Sequence, residues 1–229
     1  MAELIVALDL PREEVLRLLD RLPEAGWVKV GSILFTREGP PLLRELASRG
    51  VQVFLDLKWH DIPHTVAEAV ESAAGLGVAM ATVHTLGGSE MMAAAARASG
   101  GRLGVVGVTV LTSHSPASYA QATGRGPEVV LLEEVGRLAD TARVAGLRGV
   151  VCSPLEVPLV RERLGPQAWV VVPGIRRAGD AAGDQVRTAT PEAATRAGAT
   201  YLVVGRPILQ ATDPRAAFLE MAEAARPRV

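Results

Sequence analysis

Eight short apolar runs, each followed by a longer stretch of different periodicity, leave this 229-residue chain few ways to fold. The runs are "LIVALD" (4–9), "WVKVGS" (27–32), "VQVFLDLK" (51–58), "MATVHT" (80–85), "LGVVGVTVL" (103–111), "GVVCS" (149–153), "WVVVPG" (169–174) and "YLVVG" (201–205). Near-continuous Val, Ile and Leu is the pattern of strands buried on both faces, as parallel strands are. Between them, "PREEVLRLLDRL" (11–22), "TVAEAVESAAGLG" (65–77) and "PEVVLLEEVGRLADTARVAG" (127–146) space apolar residues at i, i+3, i+4 with charges opposite, which predicts helices. Eight strand-then-helix units predict an α/β chain folded as a (β/α)8 (TIM) barrel, with residues 1–229 as a single domain. A hydrophobic fraction of 48% is enough for a sizeable core. The competing arrangement is an open doubly wound sheet, but the turn after the first run, "LDLPRE", is not a glycine-rich phosphate loop.

A barrel places its chemistry where the strands end. Those ends carry Asp9, Lys29, Asp56 with Lys58, His84, Thr109 with Thr112, Ser153, the segment 173–176, and Gly205 with Arg206. The densest is "FLDLKWHDIP" (54–63), an apolar strand running into Asp56, Lys58, His60 and Asp61. On a regular strand i and i+2 share a face, so Asp56 and Lys58 point into one pocket with Leu57 opposite. Asp9 and Lys29 join from the two preceding strands as an alternating Asp–Lys–Asp–Lys set, each ammonium offsetting the burial of its carboxylates. Lys29 and Lys58 are the only lysines beside 22 arginines. The arginine bias is compositional; the exceptions suggest a need for an ammonium, which surroundings can tune to exchange its proton near neutral pH. Buried ion pairs without a chemical task are the plainer reading, yet they contribute weakly to stability, so four charges at one rim favour function. Asp61 lies past the strand end, roughly 10 Å from Lys58 if extended, and a symmetric partner could receive it.

The last two strand ends suggest an anion grip, because the loops after strands 7 and 8 of such barrels often hold phosphate on backbone N–H groups. Gly174 and Gly205 allow close approach, Arg206 supplies charge, Pro207 suits a first helical position, and Gln185 adds an amide donor.

A net charge of −1 gives no reason to expect nucleic acid or an anionic membrane as partner. No apolar run reaches the roughly 18–20 residues of a membrane span. The start "MAELIVALDL" lacks the features of a signal peptide, and the lone Cys152 fits a reducing cytoplasm. His60, His64 and His84 do not form a convincing metal set, since Pro63 interrupts the first pair. Cys152 reads as a buried thiol, and Met91 and Met92 as packing. The polar stretch 111–128 reads either as a lid or as an ordinary surface loop.

"LDLKWHDIPHTV" resembles the Asp-x-Lys-x-x-Asp motif of the orotidine 5′-phosphate decarboxylase family. The resemblance extends through "VALD", "VKVG", "VHTLGG", "VTVLTS", "VPGIR", "GDQVRTATPEAA" and "VVGRPI", in order along essentially the whole chain. It implies a homodimeric, cofactor-free and metal-free carboxy-lyase that turns orotidine 5′-monophosphate into uridine 5′-monophosphate and carbon dioxide, the last step of de novo pyrimidine synthesis. By this likeness Lys58 donates a proton to C6, Asp56 faces the substrate carboxylate, and Lys29 lies between the ribose and the first Asp pair. Asp61 comes from the other subunit. Asp9 meets a ribose hydroxyl, Thr65 reaches the ribose across the interface, Thr112 meets the pyrimidine, and Arg176, Gln185, Gly205 and Arg206 hold the phosphate. Trp59, in place of a smaller aromatic, and the second arginine of "GIRR" are minor departures. A Mg²⁺-dependent sugar-phosphate decarboxylase or aldolase shares the motif but resembles the chain less after strand 7. A non-catalytic phosphate-ligand sensor is the other alternative.

Overall fold

The structure, a computed structural model, describes residues 1–177 and 187–226. Eight parallel strands close into a barrel in sequence order: β1 (Glu3–Ala7), β2 (Trp27–Gly31), β3 (Gln52–Trp59), β4 (Val78–His84), β5 (Gly104–Val108), β6 (Gly149–Val151), β7 (Trp169–Val172) and β8 (Tyr201–Val204). The last strand pairs with the first through Glu3 with Tyr201 and Val6 with Val204. The open-sheet alternative is thereby excluded. Most strands end sooner than the apolar runs that announced them: β5 stops at Val108 and β6 at Val151, so the following polar and glycine residues become rim loops.

Two cores follow from the period-two alternation. Facing outward, Leu4, Val6, Val28, Val30, Val53 and Leu55 join the helices in one large buried cluster. Helix Arg12–Arg21 turns Val15, Leu18 and Leu19 onto that layer, the i, i+3, i+4 stripe its sequence carries. Facing inward, Ile5, Phe54, Met80, Val106, Val171 and Val203 fill the barrel. Trp27, Trp169 and Tyr201 plug its N-terminal end, with ring centroids 5.1–6.4 Å apart and edge-on. Glycine at 104 makes room for this plug, because a Cβ there would lie 2.1 Å from the Trp169 ring.

The inward residues one layer higher are Ala7, Lys29, Asp56 and Thr82, which places the charges above an apolar floor. Stretch 111–128 is not a plain loop: it contains helix Pro116–Thr123, capped by Ser115 and anchored by buried Tyr119, whose hydroxyl donates to Glu134 (3.1 Å). Met91 and Met92 are buried in the core. Among the described residues no helix is long and apolar enough to cross a membrane.

Candidate active site

At the C-terminal mouth lies a cavity of about 530 Å³, within the range of small-ligand sites. It brings together Asp9, Lys29, Asp56, Lys58, Thr112, Arg176, Gly205 and Arg206. Asp61 and Thr65 are exposed beside it and do not line it. Gln185 lies outside the described residues. A larger depression, about 860 Å³, sits at the opposite mouth around Trp27, Arg148 and Trp169; it holds none of the strand-end charges, so size alone does not mark the site.

The expected alternating set is present. Lys29 Nζ stands 3.8 Å from Asp9 Oδ1 and 3.7 Å from Asp56 Oδ2, and Lys58 Nζ donates to Asp56 Oδ1 at 2.9 Å. Lys29 and Asp56 are largely buried, Lys58 is 39% exposed and Asp9 57% exposed, so the series runs from solvent into the barrel and out again. Gly31 permits it, since a Cβ there would stand 3.1 Å from Lys29 Nζ.

The route by which Asp56 and Lys58 meet differs from simple alternation. Leu55 pairs with Ala81 and Trp59 with Val83, so three residues of β3 oppose the single Thr82 of β4. This bulge carries Lys58 into the left-handed region at φ 52°, the one non-glycine residue with positive φ among those described. The buried Thr82 hydroxyl accepts from the Lys58 backbone N–H (2.8 Å) and donates to Asp56 Oδ1 (3.1 Å). Sequence reasoning missed Thr82. Its only signal was a hydroxyl inside the apolar run "MATVHT", and the contact depends on a register that no local pattern encodes.

His84 ends β4 with its ring stacked on His60, centroids 5.8 Å apart, and its Nδ1 accepts from the Leu86 N–H at 3.3 Å. Burial, then the neighbouring His60, Lys58 and His114 charges, lowers its pKa to about 4. Among the described residues no group of three or more His, Cys, Asp or Glu side chains is placed to hold a metal ion. Cys152 also borders the cavity; burial, with the charge of Glu156 adding to it, pushes its thiol well above the usual range, so it is no ready nucleophile.

The opposite wall is assembled from loops. Arg176 is buried, and its backbone N–H donates to Ala189 O (3.0 Å) in a bridge that brings residues 175 and 189 together. Arg206 and Pro207 open helix Arg206–Leu209 directly after Gly205. Arg187, two residues before Ala189, pairs with Glu156, a carboxylate only 3% exposed that also accepts from the Ser153 N–H (2.7 Å).

Residues 2–221 match the orotidine 5′-phosphate decarboxylase / HUMPS family. The chain belongs to that family. It is 50% identical over 226 residues to the orotidine 5′-phosphate decarboxylase of Halorhodospira halophila, covering 96% of this chain and 94% of that protein. Its identity to the enzyme of the same name from Alkalilimnicola ehrlichii is 51% over 225 residues, with the same coverage. The crystal structure of orotidine 5′-phosphate decarboxylase from Lactobacillus acidophilus superposes with a TM-score of 0.87 at 36% identity, over 99% of this chain and all of that one. Of the eight expected residues that line the cavity, Lys29, Asp56 and Lys58 lie within β2 and β3, and Asp9, Thr112, Arg176, Gly205 and Arg206 lie in the segments that follow strands.

Proposed function

We propose that the protein is an orotidine 5′-phosphate decarboxylase, with residues 1–229 forming one catalytic barrel in a reducing cytoplasm. One observation carries the reading: an Asp9–Lys29–Asp56–Lys58 series and two arginines, Arg176 and Arg206, share a single cavity. The substrate needs both ends. In orotidine 5′-monophosphate the bond from C6 to the carboxylate breaks, carbon dioxide leaves, and the electron pair stays on C6 without a conjugated sink. An ammonium fixed there favours the developing charge and then delivers its proton to C6; solvent returns a proton to Lys58. Asp56 beside the departing carboxylate disfavours the bound ground state by roughly 4 kcal/mol for unit charges 4 Å apart at an effective dielectric of 20. A phosphate held by Arg176, Arg206, the Gly205 backbone and Gln185 supplies remote binding energy that offsets this repulsion. Thr112 meets the pyrimidine, and Asp9 and Lys29 meet the ribose.

Asp61 and Thr65 complete the reading as residues lent to the neighbouring site of a homodimer. Both are exposed on the rim, and Ile62, next to Asp61 in the chain, is a 65% exposed apolar side chain of the kind a second copy of the chain could cover. The test is loss of the orotate chromophore when the purified protein meets orotidine 5′-monophosphate in EDTA. Activity in the chelator supports the metal-free decarboxylase and excludes the Mg²⁺-dependent alternative; no loss of the chromophore, with Mg²⁺-dependent turnover of a sugar phosphate, supports that alternative instead. Mixing inactive Lys58→Ala and Asp61→Ala chains tests the shared site: mixed dimers should regain activity, and verified mixed dimers that stay inactive rule out the lent aspartate.

A further inference from the structure

We infer that Thr82 is a positioning residue for the decarboxylation, resting on the functional reading above. Its hydroxyl holds both partners of the reacting pair. Where the bulge removes the regular β3–β4 ladder, the Lys58 N–H loses its strand partner, and Thr82 Oγ1 accepts that hydrogen at 2.8 Å. A buried N–H without an acceptor is costly, so the hydroxyl makes the bulge tolerable. The left-handed backbone at Lys58 persists only when its surroundings over-determine it, and this bond is the tie nearest the strain.

The same oxygen has one hydrogen, and it spends it on Asp56 Oδ1, 3.1 Å away. That carboxylate oxygen also receives Lys58 Nζ. Thr82 therefore fixes the backbone from which the ammonium reaches and the carboxylate that aims it. Thr82 is fully buried, and its hydroxyl acts through Lys58 and Asp56 rather than on substrate. Its immediate neighbours on β4, Ala81 and Val83, are apolar and buried, so neither can replace the hydroxyl.

Thr82→Val keeps the shape and removes the hydroxyl. Its kcat for orotidine 5′-monophosphate should fall roughly 10–100-fold, the range expected when a reacting group is misplaced by about an ångström, while KM and the affinity for uridine 5′-monophosphate stay within about threefold. Thr82→Ser and Thr82→Ala both lose the buried methyl, but only the serine keeps the hydroxyl, so serine should restore most of kcat and alanine should not. Backbone amide exchange reads the bond without any activity: the Lys58 N–H should be protected in the native chain and the serine variant and should exchange faster in the valine and alanine variants. A valine variant with native kcat and native protection at Lys58 overturns the inference, as does a serine variant as impaired as alanine. A native chain that leaves orotidine 5′-monophosphate intact yet shows the exchange pattern overturns the functional reading instead and leaves the Thr82 bond standing.

Discussion

The two ends of the cavity are built on different principles. At the lysine end, Asp9, Lys29, Asp56 and Lys58 stand on or just beyond three adjacent strands and touch one another directly. Barrel register fixes them, and one bulge refines the aim. At the anion end, Arg176 and Arg206 stand on a loop and at the start of a one-turn helix, where no strand register holds them. Their placement depends on ties between loops. The Arg187–Glu156 pair joins the returning segment after β7 to the turn after β6, and Arg187 also reaches Leu111 O beyond β5 at 3.4 Å. On the proposed function, charges that must be aimed to a fraction of an ångström ride on the sheet, whereas charges that would grip a remote dianion tolerate a loop mounting.

The difference can be broken most sharply at Lys58. Lys58→Arg preserves charge but cannot readily give up a proton, so kcat should fall at least about 1000-fold while uridine 5′-monophosphate still binds; a variant retaining a tenth of native turnover removes the proton-donor role. Glu156→Gln leaves the mostly buried Arg187 guanidinium without its counter-charge, which costs up to about 3 kcal/mol and should lower the melting temperature by roughly 5–10 °C. Amide protection at Lys58 should survive that change below the new melting point, and its loss would show that the two ends are not independently held. Arg206→Ala should lower kcat/KM for orotidine 5′-monophosphate about 100-fold, the loss of charge-assisted bonds to phosphate, and leave the phosphate-free nucleoside orotidine unaffected. Equal losses on both substrates would place Arg206 outside the phosphate grip.

Smaller effects follow from titration and from the surface. His84 is held neutral with its pKa near 4, below the unfolded value of 6.5. Between those values the unfolded chain binds more protons than the native one, so this contribution to stability is intact above about pH 6.5 and is lost as pH falls toward 4. Denaturation in that window should show a shallower pH slope for His84→Asn than for the native chain; identical slopes would mean that His84 titrates normally. Asp20, paired with Arg49 at 2.7 Å on the surface, is the control: Asp20→Asn should change stability by less than about 1 kcal/mol.

Much of the barrel was legible because its signals are local. Alternation of apolar runs and amphipathic stretches predicts eight strands and their helices, and glycine and proline mark where the anion wall begins. The charged residues were legible too, since Asp9, Lys29, Asp56 and Lys58 interrupt apolar runs near their ends. Strand ends were overrun because residues such as Thr109 and Cys152 are as buried as the strands they follow, and burial rather than pairing is what an apolar run records. The helix at Pro116–Thr123 was hidden by its weak stripe, with Tyr119 and Ala120 its only buried residues.

The sequence by itself determined the fold class, the rim on which charge collects and the identity of the charges, because each is carried by spacing along the chain. Only the tertiary structure decided that Asp56 and Lys58 meet through a bulge, that Thr82 of the next strand holds them both, and that Glu156 anchors Arg187. The Thr82 and Glu156 contacts join residues 24 to 31 positions apart, and register between strands and packing between loops are set by the closed barrel as a whole rather than by any stretch within it.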